Sequence, residues 1–226
     1  MDASCPRVPV SRYVFFTLLT VAGLATDLLS KAWAFQELGY PGHQSDWSWS
    51  SPFLWGRFSI SFTTSFNKGA LFGIGQGMTW LFALLSLVAV AFVIYWLFIR
   101  REARSWWLTV TLGLIMSGAL GNLYDRLYLH GCIDSLGSPI YGVRDFVDCT
   151  IPFLRWEGGL SFSRITEYKW PIFNMADTFL VTGAIMLTLY SLFAPVPATA
   201  AEPMPAKGNA MNVGSEKRTP AAPLAM

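Results

Sequence analysis

Charge is scarce in this chain. Asp, Glu, Lys and Arg make up 13% of its 226 residues, against 53% hydrophobic. A soluble domain carries about 25% charged residues, so the composition excludes one and indicates an integral membrane protein. Histidine is nearly missing: His43 and His130 stand alone, and no His-Glu-x-x-His or other metal spacing exists. The expectation is therefore no metal and no organic cofactor. Cysteine is sparse as well, with Cys5, Cys132 and Cys149 showing no metal-ligand spacing. Cys132 and Cys149 fall in one loop, where a disulfide is permitted, and two unpaired thiols are the simpler reading. No serine lies in a nucleophile elbow. A net charge of +2 gives no sign of a nucleic-acid partner.

What the chain does have is long apolar runs. Four can span a bilayer, which takes about 20 helical residues: residues 13–35, 78–99, 106–124 and 170–193. The small-x-small sequence Ala32-Trp33-Ala34 looks like a signal-peptide cleavage site. However, the apolar run before it is too long, and Asp27 and Lys31 lead up to the cut, so a retained helix is the better reading. Arg100, Arg101 and Arg104 crowd the short link between the second and third spans, and Arg7 and Arg12 precede the first. Basic density near spans marks the cytoplasmic side. Both termini are then cytoplasmic, with outer loops at about 36–77 and 125–169. Residues 1–194 form one four-span domain, and the Pro- and Ala-rich segment 195–226 reads as a disordered cytoplasmic tail.

The outer loops carry some pattern. Phe58-Ser59-Ile60-Ser61-Phe62 alternates with period two and predicts a short strand. Glycines at 69, 73, 75 and 77 follow, suited to tight turns or close backbone approach. No Gly-Lys-Ser/Thr accompanies them, so a phosphate loop is excluded. Trp47, Trp49, Phe53, Trp55 and Phe58 cluster in the same loop, as a headgroup-level segment or an aromatic mini-core. The expected fold is an all-α membrane protein, four transmembrane helices with a small β-containing extracytoplasmic cradle.

The polar residues within these apolar segments carry the chemistry. Asp27 and Lys31 are spaced i, i+4, and suit a local ion pair. Gly118 and Gly121 allow close helix contact, and Asn122, Asp125 and Arg126 follow on one face. Asp125, next to Arg126, is most simply ionised and paired with it. Asp145 lies in the apolar stretch Val143-Arg144-Asp145-Phe146-Val147. Asn174 and Asp177 are spaced i, i+3, with Asp177 about a turn and a half inside the fourth apolar run. An ionisable group in lipid costs roughly 2.5–3.5 kcal/mol on insertion scales and is retained for function. If Asp145 and Asp177 meet, both charges cannot persist and the pair holds one proton. One carboxyl then activates water while the other polarises a peptide carbonyl. A proton-coupled transporter or a lipid-binding assembly factor are the rival readings.

Together these residues resemble the lipoprotein signal peptidase (signal peptidase II) family. The matching segments, in order, are Asp27 to Lys31, Asn67-Lys68-Gly69-Ala70-Leu71-Phe72-Gly73, Gly118 to Arg126, Val143-Arg144-Asp145-Phe146, and Pro171 to Asp177. The resemblance implies a membrane aspartyl endopeptidase that removes the signal peptide of diacylglyceryl-modified prolipoproteins, cutting before the modified cysteine. It implies Asp145 and Asp177 as the catalytic pair. Asp27, Lys31, Asn67, Gly69, Asn122, Asp125, Arg126, Asn174 and Ala176 are the supporting or substrate-contacting residues. The implied partners are the lipid-modified substrate and membrane lipid, and the enzyme is expected to act as a monomer. The implied place is the bacterial cytoplasmic (inner) membrane, with the active site near its outer face. One departure stands out. The family's aspartate would fall at Asp134, which lacks the following Phe, so residues 132–142 read as an insertion and Asp145 is preferred.

Overall fold

The computed structural model describes residues 8–41, 44–50, 58–69, 75–100, 105–155 and 164–193. The tail 195–226, residues 70–74 of the glycine-rich segment, Phe53, Trp55, Arg7, Arg101 and Arg104 lie outside them.

Among the described residues, four helices are long and apolar enough to cross a membrane. They are α1 (Val10–Leu38), α2 (Thr79–Ile94, continued by a π-helical turn Tyr95–Ile99), α3 (Trp106–Arg126) and α4 (Met175–Phe193). At 1.5 Å per residue the shortest, with 19 residues, still approaches the roughly 30 Å of a hydrocarbon core. α3 is the central helix: 61% of its most apolar stretch is buried, against 11–22% in the others. Small residues let it sit there. A side chain at Gly118 would collide with the Ala176 carbonyl and Leu180 of α4, and one at Gly121 with the Asp27 carboxylate of α1. At the end of the bundle away from the sheet, Phe16, Val93, Leu97, Leu112 and Met116 form an apolar core. Leu84, Leu85, Val88 and Ile185 stay exposed, as lipid-facing positions of a membrane helix do.

Among the described residues, four strands form one antiparallel sheet in sequence order: β1 (Gln44–Ser50), β2 (Ser59–Asn67), β3 (Val143–Arg155) and β4 (Arg164–Phe173). The sheet is larger than the one strand expected over residues 58–62. β3 escapes a period-two reading because Val143, Arg144, Asp145 and Phe146 are all buried. Both of its faces are covered, so the sequence does not alternate.

The fourth span is shorter than expected. It begins at Met175, not at Trp170, because Trp170–Phe173 complete β4, where Trp170 pairs with Cys149 and Phe173 with Val147. Asp177 therefore lies in the first helical turn, not a turn and a half inside. Trp49 meets Phe58 edge-on at 6.1 Å and is exposed. Cys132 and Cys149 are free thiols.

Candidate active site

The site forms where the ends of α1 and α3, the start of α4 and the middle of the sheet converge. Strand register explains how Asp145 arrives there. β2 holds Asp145 opposite Ser65, and β3 pairs Val147 with Phe173, the last residue of β4. The chain then turns through Asn174 directly into α4, so Asp145 lies beside that turn.

Asn174 joins the two carboxyls. Its side-chain Nδ2 donates to Asp145 Oδ1 at 2.6 Å. Its backbone N–H donates to Asp177 Oδ2 at 3.3 Å, and its Oδ1 accepts the Asp177 N–H at 3.0 Å. This reciprocal exchange is a capping box, which satisfies two donors that the start of a helix otherwise leaves free. Asp177 Oδ1 also accepts Asn122 Nδ2 at 2.8 Å. Asp145 is 2% exposed. Burial first, and then the charge of Asp177, push its carboxyl well above the ordinary range; hydrogen bonds from Asn174 and Asn67 oppose this.

Beneath the pair runs a buried ionic network. Lys31 Nζ bonds Asp27 Oδ2 at 2.7 Å and Asp125 Oδ2 at 3.1 Å, with all three side chains fully buried. Arg144 grips Asp125 through its backbone N–H, Nε and Nη2 at 3.0, 3.1 and 2.9 Å. Two acids and two bases make the group neutral, the condition under which buried charge persists. Asp27 Oδ1 accepts the Ala176 N–H at 2.9 Å, a second cap on α4 contributed by α1. Lys31 also donates to Asn122 Oδ1 at 3.3 Å, which leaves the Asn122 NH₂ to face Asp177.

The expected partnership of Asp125 with Arg126 does not form. Neighbouring residues on a helix point in different directions, so Asp125 turns toward Lys31 and Arg144 while Arg126 turns toward α2. There Arg126 Nη1 donates to Ser86 Oγ at 3.4 Å, and the guanidinium lies 5.7 Å from the Phe82 ring centre. The Ser86 hydroxyl donates to the Phe82 carbonyl at 2.9 Å, so its oxygen faces Arg126 as an acceptor. Asn67 Oδ1 accepts the Gly69 N–H at 3.0 Å, which shapes the turn after β2.

Asp134 is elsewhere, in an exposed turn where Oδ1 accepts the N–H groups of Leu136 and Ser138, both at 2.9 Å. Sequence reasoning gave no role to Arg144 or Ser86. Ser86 had one available signal: it is the sole polar residue between Trp80 and Ile94. An open groove of about 190 Å³ leads away from Asp177, lined by Thr178, Val181, Thr182, Trp170 and Phe173.

Four membrane-crossing helices carrying a small sheet at one end, with carboxyls gathered where they meet, define a polytopic membrane enzyme. The family model for signal peptidase (SPase) II matches residues 19–193, and the chain belongs to that family. It is 43% identical over 186 residues to a lipoprotein signal peptidase of Rhodopirellula baltica, covering 81% of this chain and 74% of the relative. With a lipoprotein signal peptidase of Rhodococcus jostii it shares 36% over 198 residues, covering 87% and 82%. Two solved structures of a bacterial membrane enzyme obtained by the in meso method share the fold. Their TM-scores are 0.55 and 0.54 at 24% identity, covering 78% and 80% of this chain and 87% and 94% of theirs. The chain is thus an aspartic-type endopeptidase and a multi-pass membrane protein.

Proposed function

We propose that Asp145 and Asp177 form the catalytic dyad of a lipoprotein signal peptidase. It cleaves the diacylglyceryl-modified prolipoprotein just before its modified cysteine. The observation that carries this reading is the Asn174 bridge, which engages both carboxyls at once.

The two environments differ and so assign the roles. Asp177 sits in the first turn of α4, where the helix dipole favours negative charge, and accepts two further N–H donors. We assign it the role of the base. Asp145, buried and raised, keeps the proton. Asp177 takes a proton from water as its oxygen attacks the scissile carbonyl, and Asp145 donates a hydrogen bond to the developing oxyanion. Asp177 then passes the proton it took to the scissile nitrogen, so that collapse breaks the C–N bond, expels the cysteine amine and leaves the signal peptide with a new carboxyl group. The groove beside Asp177 opens along α4 and suits the apolar part of the substrate. Among the described residues, Arg126 donates to the Ser86 hydroxyl and lies against the Phe82 ring, near the Asp177 and Asp145 charges, and it has donors left for a substrate carbonyl.

The active site lies near the outer face with both termini cytoplasmic, and the enzyme works as a monomer. In support of this orientation, Arg100 follows α2 at the end away from the sheet, and Arg12 lies over the Trp106 ring at 3.5 Å at the same end. The test is incubation of the purified protein with a diacylated prolipoprotein peptide and an unlipidated control in the same membrane. Rapid cleavage of the first alone supports the reading, and equal rates argue against it.

A further inference from the structure

The loop between α3 and β3, residues 127–142, takes no part in the dyad, yet it is built with care. The chain reverses at Tyr128 and Gly131, both at positive φ. It then closes a compact finger. Ile140 N–H donates to the Cys132 carbonyl at 3.1 Å, Asp134 N–H to the Ser138 carbonyl at 2.9 Å, and Gly137 N–H to the Asp134 carbonyl at 3.0 Å. Ile133 and Pro139 form a β-bridge across it. Such a finger needs no partner to hold its shape.

Its surface is wrong for water. Leu136, at the tip, is 89% exposed, and Leu127, Leu129, Ile133 and Tyr141 are exposed with it. The loop's formal charge is Asp134 alone, and that carboxylate already accepts two backbone N–H groups of the turn. Burial holds His130 below the usual imidazole range, so it adds no charge at neutral pH. Between the finger and the end of α1 lies an open groove of about 640 Å³, walled by Tyr40, Phe66, Ile133 and Ile140 together with the polar Asp134 and Ser135.

Height decides what this surface meets. Leu127 directly follows a membrane-crossing helix, and Lys31 is level with Asp125 through their ion pair. From Lys31 to the end of α1 is about 10 Å at 1.5 Å per residue. The groove joins the finger to Tyr40, just past that end. With the hydrocarbon edge taken at the level of the Lys31–Asp125 pair, the finger falls in the headgroup layer, about 5–7 Å deep on each side of the hydrocarbon.

We propose that residues 132–140 form an interfacial anchor, with Leu136 and Ile133 dipping into the lipid leaflet around the bundle on the active-site side. A rigid finger whose single carboxylate, Asp134, is turned onto its own backbone N–H groups can offer Leu136 and Ile133 to that layer with little ordering cost. The proposal stands apart from the dyad and would survive its failure.

The test places a nitroxide at Leu136→Cys in the full chain with Cys5, Cys132 and Cys149 changed to Ser, in nanodiscs of mixed neutral and anionic phospholipid. Because the tip is so exposed, the substitution leaves the fold intact, which an unchanged unfolding midpoint checks. Collisions with oxygen should exceed those with a water-soluble nickel chelate several-fold, with and without a lipidated peptide substrate. A chelate-dominated signal would overturn the proposal. So would an oxygen-dominated signal that appears only after the peptide is added, because the finger would then contact substrate and not lipid.

Discussion

The Lys31 ammonium lies 3.3 Å from Oδ1 of Asn122 and thereby sets which end of that amide faces Asp177. A cation accepts no hydrogen bond, so the amide oxygen must turn toward Lys31 and the NH₂ toward the carboxylate, 2.8 Å away. We propose that Lys31 acts on Asp177 through Asn122, as a positioning residue. Lys31→Met should destabilise the protein by about 3–5 kcal/mol, since it strands the buried Asp27 carboxylate while Asp125 keeps Arg144. Coupling that change to Asp27→Asn, whose amide oxygen can still accept the Ala176 N–H, should restore part of the lost unfolding midpoint. Thermal unfolding of the single and double variants checks this, and equal midpoints would remove the network from the account.

Arg126 is held more lightly. Ser86→Ala removes an acceptor of the kind that contributes about 0.5–1.5 kcal/mol, so cleavage should slow by roughly 2–10-fold with at most a small drop in the unfolding midpoint. Steady-state kinetics against the lipidated peptide measure it. A rate equal to that of the parent would show that Ser86 does not position the guanidinium.

Gly121 tests the packing of the site from below. Gly121→Ala drives a methyl into the Asp27 carboxylate and the Ala176 side chain, and should cost about 1–3 kcal/mol. Because Asp27 caps α4 at Ala176, activity should fall along with stability. An active, fully stable variant would contradict the close approach of α1, α3 and α4.

The pH dependence follows from the raised Asp145 carboxyl. A raised pKa means that the folded protein holds a proton which the unfolded chain has released. Folding stability from this group is thus present at low pH and falls as pH rises from about 3.8 through the folded value. Asp145→Asn, which carries no titrating proton, should flatten that dependence and raise the unfolding midpoint at neutral pH. Cleavage by the parent should be bell-shaped, its limbs belonging to the coupled pair, and the upper limb should lie above the range of a free carboxyl.

The helices were legible because an apolar run of span length has few other readings, and the site segments were legible because polar residues inside such runs stand out. The boundary at 170–175 was not, since Trp170-Pro171-Ile172-Phe173 is as apolar as a helix start and periodicity cannot separate a short buried strand from it. Asp125 illustrates a second limit. Its partners Lys31 and Arg144 lie 94 and 19 positions away in the chain, so the nearest cation in sequence, Arg126, was the natural but incorrect choice. Arg144 itself could be assigned only once β3 was known to be buried on both faces.

The central claim is that Asp145 and Asp177 together cleave the substrate. The most direct measurement compares purified Asp145→Asn, Asp177→Asn and Asp134→Asn with the parent protein on a diacylated prolipoprotein peptide, after each is shown to be folded. Asp145→Asn and Asp177→Asn should leave the peptide uncleaved while Asp134→Asn cuts it at close to the parent rate. An active Asp145→Asn or Asp177→Asn, or an inactive Asp134→Asn, would contradict the assignment.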